Sequence, residues 1–172
     1  MPVIKTNNFT LRPYRPADAP SLAKNINNYK IYRYTAQIPF PYSLKDARIY
    51  LKRVTREMKA GTVLSLVIIK NREVIGAVSL NKIIKHHRAE LGYWLAEEYW
   101  QQGIVSQAVK LIVAYGFKRL KLIRIYAYVM SPNKASMKVL KNNGFKKEGI
   151  LKRHSVKDDR CSDLYVFAKV KR

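Results

Sequence analysis

The chain has 172 residues, of which 48% are hydrophobic and 26% are charged. That composition is typical of one globular domain, here residues 1–172, and excludes a disordered chain. The 34 Lys and Arg residues outnumber the 11 Asp and Glu residues, so the formal net charge is +23. A positive field of this size attracts polyanions such as nucleic acid, ribosomes or phosphorylated cofactors. A basic bias of the whole proteome is the alternative explanation, and both interpretations remain open.

No apolar run approaches the length of a membrane span, and the N-terminal residues lack the apolar stretch of a secretory signal. We therefore expect a cytoplasmic protein with no membrane partner. The single cysteine, Cys161, cannot form an internal disulfide. The three histidines show no metal-ligand spacing with each other or with Cys161, so the sequence predicts no metal site.

The first predicted elements are a strand over residues 9–14 and a helix that Pro16 opens and that runs to about Asn28. Ser43 and Asp46 form the S-x-x-D start of a second helix, which Gly61 ends. Residues 62–70 and 74–84 predict a hairpin, and a further turn leads into a strand over residues 89–95. These three strands predict an antiparallel meander.

The second half of the chain begins with a helix over residues 103–119 that is apolar over most of its surface and therefore predicted to be buried. A strand over residues 122–130 and a short helix over residues 133–142 follow. Residues 147–156 and 161–170 predict a closing antiparallel pair. The order β-α-α-β-β-β-α-β-α-β-β predicts an α+β fold in which the strands at 89–95 and 122–130 run parallel.

The segment before the helix at 103–119 has the geometry of an anion site, because a strand ends, a glycine turns the chain and a helix begins. A helix N-terminus offers free N–H groups and a positive dipole end. The segment is neither a Walker loop nor a G-x-G-x-x-G loop. Taken alone, a helix that merely starts after a glycine explains the pattern more often than a phosphate site does.

Several motifs in the same order resemble the GNAT acetyltransferases: AELGYWL at 89–95, YWQQGIVSQA at 99–108, Asn133, and NNGF at 142–145. Within that superfamily the chain is similar to the RimJ/RimL-like branch, which acetylates ribosomal proteins. The resemblance begins at TLRP, residues 10–13, and runs to the C-terminus. It implies a mixed, mostly antiparallel sheet of about seven strands, splayed in the middle and flanked by about four helices.

The resemblance also implies how acetyl-CoA, the co-substrate, would bind. Tyr93, Trp94 and Leu95 would splay from the strand at 122–130 and leave a V for the pantetheine arm, near Asn133. Backbone amides would hold the pyrophosphate at six consecutive positions: Gln101, Gln102, Gly103, Ile104, Val105 and Ser106.

Two of these positions depart from the family pattern, which usually has a glycine at Gln101 and a small residue at Val105. Since backbone amides do not depend on the side chain, we expect binding to persist. We expect the Val105 side chain to crowd the phosphates and so to weaken the affinity for acetyl-CoA.

The implied reaction is attack of a neutral amine on a thioester. It needs a deprotonated amine, a donor for the developing oxyanion and a proton for the departing thiolate. Glu90 lies on the strand that the family uses for a catalytic glutamate and is the candidate base, acting through a water. The alternative for Glu90 is a salt-bridged strand residue. The backbone N–H near Leu95 is the implied oxyanion donor.

Ser136 matches the serine with which some ribosomal-protein acetyltransferases protonate the thiolate. The alternative is a helix serine that bonds back to a carbonyl. Many other GNAT enzymes use a tyrosine at a position that is Leu140 here. Some close relatives carry a second glutamate base where this chain has Ser155, so their mechanism does not transfer directly.

The leading functional hypothesis is acetylation of the N-terminal α-amino group of a ribosomal protein, with ribosome or RNA proximity through the basic surface. A second hypothesis is acetylation of a small amine, such as an amino acid, a polyamine or an aminoglycoside. Five acids, Glu97, Glu98, Asp158, Asp159 and Asp163, are the candidates for a pocket that would attract a polycation. A third hypothesis is a non-catalytic RNA- or protein-binding module of the same fold. Both a monomer and a homodimer fit the sequence.

Overall fold

The computed structural model describes residues 2–171. Eight strands form one sheet in the order β1-β2-β3-β4-β5-β6-β8-β7. The strands are β1 Ile4–Lys5, β2 Thr10–Arg12, β3 Leu64–Lys70, β4 Glu73–Ile84, β5 Arg88–Leu95, β6 Arg124–Met130, β7 Lys146–Lys157 and β8 Arg160–Val170. The α-helices are α1 Ala19–Ile26, α2 Tyr29–Tyr32, α3 Leu44–Lys59, α4 Ile104–Lys118 and α5 Lys134–Asn142.

All neighbouring strands pair antiparallel except β5 and β6, which run parallel as predicted. Two hairpins close through two residues with positive φ, Asn71 and Arg72 between β3 and β4, and Asp158 and Asp159 between β7 and β8. Two consecutive residues with positive φ match the type I′ turn, whose twist suits a hairpin. Among residues 2–171 no helix is both long enough and apolar enough to cross a membrane.

The predicted fold class is confirmed, with two additional short elements. The sheet has eight strands rather than about seven, because the two-residue β1 is too short to show an alternating pattern. The described chain has five α-helices rather than about four. The helix predicted from Pro16 to about Asn28 begins as a 3-10 turn at Pro16–Asp18 and ends at Ile26. The Asn28 side chain then caps α2, which accounts for the fifth helix.

The helices cover both faces of the sheet, so the apolar side chains divide into two clusters. The larger cluster joins the sheet to α4 and α5 through residues such as Val109, Ile112 and Leu140. The smaller one lies beneath α1 and α3 and includes Leu22 and Leu51. We call the two sides of the sheet the α4/α5 face and the α1/α3 face. This division decides on which side each strand residue presents its side chain.

A half-buried ion pair fixes the start of α1 against β2. Arg12 forms a fork with Asp18, with Nη1–Oδ2 and Nη2–Oδ1 distances of 2.8 and 2.7 Å. Asp18 also accepts the backbone N–H of Arg15 at 2.7 Å and is only 6% exposed. Removal of either partner would leave the other charge desolvated without compensation, which is costly in a protein interior.

We therefore predict that Asp18→Asn lowers the free energy of unfolding by about 3 kcal/mol, because the Arg12 guanidinium loses its carboxylate partner. The measurement is urea denaturation. Glu73→Gln is the matched control, since it removes the same charge from an exposed pair with Lys24 at 3.5 Å, and exposed pairs contribute at most about 1 kcal/mol. Equal losses in the two variants would contradict the role given to the Arg12–Asp18 pair.

Candidate active site

The central feature of the site is a gap between β5 and β6. These strands pair at three positions only, Arg88 with Arg124, Ala89 with Ile125, and Glu90 with Tyr126. Beyond Glu90, β5 continues to Leu95 and β6 continues to Met130 without pairing to each other. The remaining edges are occupied, since β4 pairs with β5 and β8 with β6 over nearly their full lengths. A wedge therefore opens in the middle of the sheet.

Backbone polar groups of β5 point into this wedge. The N–H of Ala96 bonds to the carbonyl of Ile75 at 2.8 Å. Since hydrogen-bonded and non-hydrogen-bonded pairs alternate along an antiparallel ladder, the backbone groups of Tyr93 and Leu95 point away from β4 and toward β6. The Leu95 carbonyl accepts the indole N–H of Trp100 at 2.7 Å. The N–H groups of Tyr93 and Leu95 consequently face the gap, where a ligand can reach them.

The N-terminus of α4 lies at the open end of this strand–turn–helix unit. Gln101 and Gly103 both have positive φ, 61° and 74°, and turn the chain into the helix. No side chain caps α4, and the first backbone bond into the turn is from Gln107 N–H to Gly103 O at 3.0 Å. Within residues 2–171, no protein acceptor takes the N–H groups of residues 103–106. Free amides at a positive helix end form an anion-binding arrangement.

The side chains at this turn leave it open. Gln101, Gln102 and Gly103 are exposed, whereas Ile104 is buried. Val105, expected to crowd a bound phosphate, is partly buried and packs against the core cluster of the α4/α5 face. The Gln102 side chain turns back and donates to the Glu98 carbonyl at 3.0 Å.

Asn143 holds the beginning of α4 against the end of α5. Its Nδ2 lies 3.1 Å from Ser106 Oγ, 3.2 Å from Ser106 O and 2.9 Å from Val139 O. Asn143 is 9% exposed, so this amide joins the two helices from inside the protein. The sequence shows Asn143 only as part of the NNGF motif, because two of its three acceptors belong to Ser106, 37 positions away.

The second helix of the site begins at Asn133. Its Oδ1 accepts the Ser136 N–H at 3.0 Å, so Asn133 is the N-cap of α5 and keeps its side-chain NH₂ group for other partners. The Ser136 hydroxyl lies 2.7 Å from the Tyr93 hydroxyl, whose single proton can be directed to Ser136 Oγ or to the Ser136 carbonyl at 3.2 Å. Burial raises the pKa of Tyr93 to about 12. The phenol therefore stays protonated beside Ser136.

The tyrosine partner of Ser136 was not found from the sequence. The sequence places Tyr93 at the end of a strand beside the pantetheine arm and assigns no role to its hydroxyl. The family resemblance implies a tyrosine in many GNAT enzymes at the α5 position of Leu140, and Leu140 is fully buried here. A phenol thus reaches the site from β5 rather than from α5, and only the tertiary structure reveals it.

Glu90 occupies the last paired position before the wedge opens. Its side chain is 23% exposed, and Lys82 Nζ lies 2.8 Å from its Oε2. The contact is an ion pair without hydrogen-bond alignment, and Oε2 is shielded from solvent. The Glu90 carboxylate raises the pKa of Lys82. Because the Lys82 side chain is 68% exposed, this pair holds Glu90 only weakly.

Glu90 and Ser136 approach the wedge from opposite faces of the sheet. Leu91 and Leu95 belong to the cluster of the α4/α5 face, and Trp94 packs in the cluster of the α1/α3 face. Since side chains alternate along β5, Tyr93 lies on the α4/α5 face, toward Ser136, and Glu90 lies on the α1/α3 face. The carboxylate and the hydroxyl pair thus flank the wedge from its two sides.

The α1/α3 face around Glu90 is polar. Neighbouring strands place Ser79 opposite Gly92 and Asn81 opposite Glu90. Asn81 Nδ2 donates to Ser79 Oγ at 2.9 Å. A Cβ on Gly92 would lie 3.1 Å from Asn81 Nδ2, so glycine keeps this surface open beside the wedge. Tyr126 packs edge-on against Tyr128 with 5.6 Å between ring centroids, and burial together with Glu90 raises the pKa of Tyr126.

Comparisons with known proteins agree with this arrangement. The family model described as Acetyltransferase (GNAT) domain matches residues 8–146. An uncharacterized N-acetyltransferase, p20 of Bacillus licheniformis, is 32% identical over 175 residues, covering 100% of this chain and 98% of that protein. The ribosomal-protein-serine acetyltransferase of Escherichia coli K12 is 31% identical over 132 residues, or 76% of this chain and 74% of the relative. The spermidine N(1)-acetyltransferase of the same strain is 28% identical over 142 residues, which cover 82% of this chain and 74% of that relative.

Among solved structures, the RimL ribosomal L7/L12 α-N-protein acetyltransferase in complex with coenzyme A superposes with a TM-score of 0.91 at 22% identity, covering 98% of both chains. The splayed sheet and the free helix N-terminus define an acetyltransferase of the GNAT type. This chain belongs to the GNAT family of N-acetyltransferases and is close to the enzymes that acetylate ribosomal proteins.

Proposed function

We propose that this enzyme transfers the acetyl group of acetyl-CoA to the N-terminal α-amino group of a protein, and that a ribosomal protein is the substrate. The observation that carries the proposal is the wedge between β5 and β6, flanked by a carboxylate on one face and a hydroxyl pair on the other. A thioester in the wedge would be open to an amine from the α1/α3 face, and its sulfur would lie toward Ser136.

The residues around the wedge fit acetyl-CoA, which supplies an activated acetyl group. The amides of residues 103–106 and the turn at Gln101 and Gln102 suit the pyrophosphate, because they are unpaired donors at a positive helix end. The N–H groups of Tyr93 and Leu95 suit the amides of the pantetheine arm and the carbonyl oxygen of the acetyl group. The free NH₂ group of Asn133 supplies a further donor.

Glu90 is the proposed base. An α-amino group has a pKa of about 7.7–8.0, so it needs only modest help to lose its proton near neutrality. Glu90 is partly exposed on the polar face from which the amine would enter, and an intervening water could carry the proton. The neighbouring Lys82 would disfavour a second positive charge and so help to keep the amine neutral.

We expect Glu90→Gln to lower kcat by about 100-fold, because it removes the proton acceptor, while the Kd for coenzyme A stays unchanged. Steady-state kinetics and calorimetric titration measure the two effects. Lys82→Gln is the control, since it removes the same ion pair but leaves the carboxylate. If the two variants lose activity equally, Glu90 is only a partner of Lys82 and not a base.

The Ser136–Tyr93 pair is the proposed proton source for the departing thiolate. The two hydroxyls lie 2.7 Å apart, and Asn133 fixes the backbone of Ser136. A protonated tyrosine behind a serine can restore the proton that the serine gives up. The raised pKa of Tyr93, about 12, keeps that proton in place at physiological pH.

This assignment predicts a pH profile for kcat/KM with a peptide substrate. The rate should rise with a midpoint near pH 8 and level off above about pH 9, as the α-amine loses its proton. No falling limb from Tyr93 should appear below pH 11, since its pKa is about 12 and its neutral form is the donor. Ser136→Ala should lower kcat by at least about tenfold at every pH. A falling limb near pH 10 that disappears in Tyr93→Phe would contradict the assignment.

Charge around the wedge favours a protein substrate over a polyamine. Three of the five candidate acids are already engaged. Glu97 binds Lys30 and Asn28, Asp158 accepts the Tyr32 hydroxyl, and Asp163 binds Lys152 and the Arg153 N–H. These contacts hold the pKa of Glu97 and of Asp163 below their ordinary values. Carboxylates that a lysine already compensates, such as Glu97 and Asp163, attract a polycation weakly, and the net charge of +23 repels it.

The outer surface of α3 supports a site of action near ribosomal RNA. Six cations on this helix are exposed, and none of them forms a salt bridge within the described chain: Lys45, Arg48, Lys52, Arg53, Arg56 and Lys59. They extend over about 21 Å of helix. A dense array of unpaired cations of this length suits a phosphate backbone.

The function is tested by intact-mass analysis of ribosomal proteins from cells with and without the enzyme. We expect at least one ribosomal protein to lose an N-terminal acetyl group in the deletion strain and to regain it with the wild-type gene, but not with Glu90→Gln. An unchanged set of masses would exclude a ribosomal substrate. Turnover of spermidine without turnover of any peptide would favour the small-amine function.

A further inference from the structure

A cavity of about 330 Å³ lies between α2 and the tip of the β7–β8 hairpin, beside the open end of the wedge. We call it the α2–hairpin cavity. Met130 at the end of β6 and Pro132 form part of its lining. Tyr29 and Tyr34 supply aromatic walls from the α2 side, and Ser162 contributes from β8. The volume is sufficient for one or two amino-acid side chains.

The cavity is strongly basic. Arg33, Lys157 and Arg160 line it, against a single carboxylate, Asp158. The Asp158 carboxylate already accepts the Tyr32 hydroxyl. Within residues 2–171, neither Arg33 nor Arg160 forms a salt bridge. Two arginines without a salt-bridge partner among the described residues thus line the same small space, and the Arg33 guanidinium lies over the Tyr34 ring, 4.8 Å from its centroid.

Lys157 has a different role from the two arginines, because it connects the walls. Its Nζ bonds to the Thr35 carbonyl at 2.8 Å and lies 3.5 Å from the centroid of the Tyr32 ring. Burial lowers the pKa of Lys157. Together with the contact between Tyr32 and Asp158, it ties the hairpin tip to the α2 segment. The cavity is therefore built before any ligand arrives, which lowers the entropic cost of binding.

The cavity lies within reach of the wedge on the face from which the amine would enter. Met130 and Tyr126 both lie on the α1/α3 face, because the intervening Ala127 and Val129 belong to the opposite cluster. Tyr126 is the register partner of Glu90. The four residue-to-residue steps from Tyr126 to Met130 span about 13 Å. An extended peptide with its amine near Glu90 covers this distance in about four residues.

We propose that the α2–hairpin cavity is a specificity site for an acidic side chain within residues two to four of the acceptor protein. Arg33 and Arg160 bind the carboxylate, and the aromatic walls pack against its methylene groups. A guanidinium group can bind a carboxylate through two parallel hydrogen bonds, so recognition depends on geometry as well as on charge. This inference rests on the proposed function, since it assumes that the acceptor is a protein N-terminus.

The experiment compares kcat/KM for two peptides that differ only at residues two to four, which are Glu in one and Gln in the other. The wild type should prefer the Glu peptide by about tenfold or more, as expected for a charge-assisted pair. The double variant Arg33→Gln/Arg160→Gln should abolish that preference, by lowering kcat/KM for the Glu peptide to the value for the Gln peptide. Arg160→Glu should reverse the charge preference, so that a peptide with Lys at residues two to four becomes the better substrate.

Arg53→Gln/Arg56→Gln on α3 is the matched control, because it removes the same charge at a distance from the cavity. It should keep the preference for the Glu peptide. Equal rates for the Glu and Gln peptides in the wild type would overturn the inference while leaving peptide acetylation intact. If the α3 control variant also loses the preference for the Glu peptide, that preference arises from the positive electrostatic field of the whole protein. That result would also overturn the inference. Acetylation of small amines but of no peptide would overturn the proposed function and this inference together.

Discussion

The parallel ladder between β5 and β6 ends after three residue pairs, and the proposed chemistry depends on that ending. A continuous ladder would satisfy the backbone groups of Tyr93 and Leu95 with groups of β6. The splayed strands instead leave those groups facing a gap in the middle of the sheet. The outer edges of β5 and β6 remain paired with β4 and β8, so a paired strand lies on each side of the gap.

Helix packing positions the other parts of the site around this gap. Gly116 allows α4 to lie close to the sheet, since a Cβ there would come within 2.9 Å of Leu80 and 3.0 Å of Ile125. Asn143 then joins α4 to α5. The free amides of α4 and the Ser136 hydroxyl on α5 are therefore fixed relative to β5. The proposed base and the proposed acid lie on opposite faces of the sheet, which would separate the entry of the amine from the departure of the thiol.

Much of the fold could be predicted from the sequence, because local patterns determine it. The S-x-x-D motif predicted the start of α3, and Ser43 and Asp46 form the expected capping box. A helix that is apolar over most of its surface predicted α4, and short polar turns predicted the strands of the meander. Short elements were missed for the same reason: β1 and α2 contain two and four residues, too few to establish a period. Pro13 explains why the strand predicted over residues 9–14 ends at Arg12, since proline has no N–H for the ladder.

The candidate site was only partly predictable. The order and spacing of the motifs resemble a known family, and that resemblance identified the candidate residues Glu90, Ser136 and Asn133 and the turn at Gly103. The hydroxyl contact between Tyr93 and Ser136 joins residues 43 positions apart, and no local pattern encodes it. The same holds for Asn143 and for the α2–hairpin cavity, in which Arg33 and Arg160 come from different elements. Such contacts depend on how the elements pack.

A crystal structure of the protein with coenzyme A is the most direct measurement of the wedge as the cofactor site. We expect the pantetheine arm between β5 and β6, in contact with the N–H groups of Tyr93 or Leu95, and the pyrophosphate at the amides of residues 103–106. Coenzyme A bound elsewhere, or β5 and β6 paired through to Leu95 and Met130, would contradict the assignment of the wedge as the cofactor site.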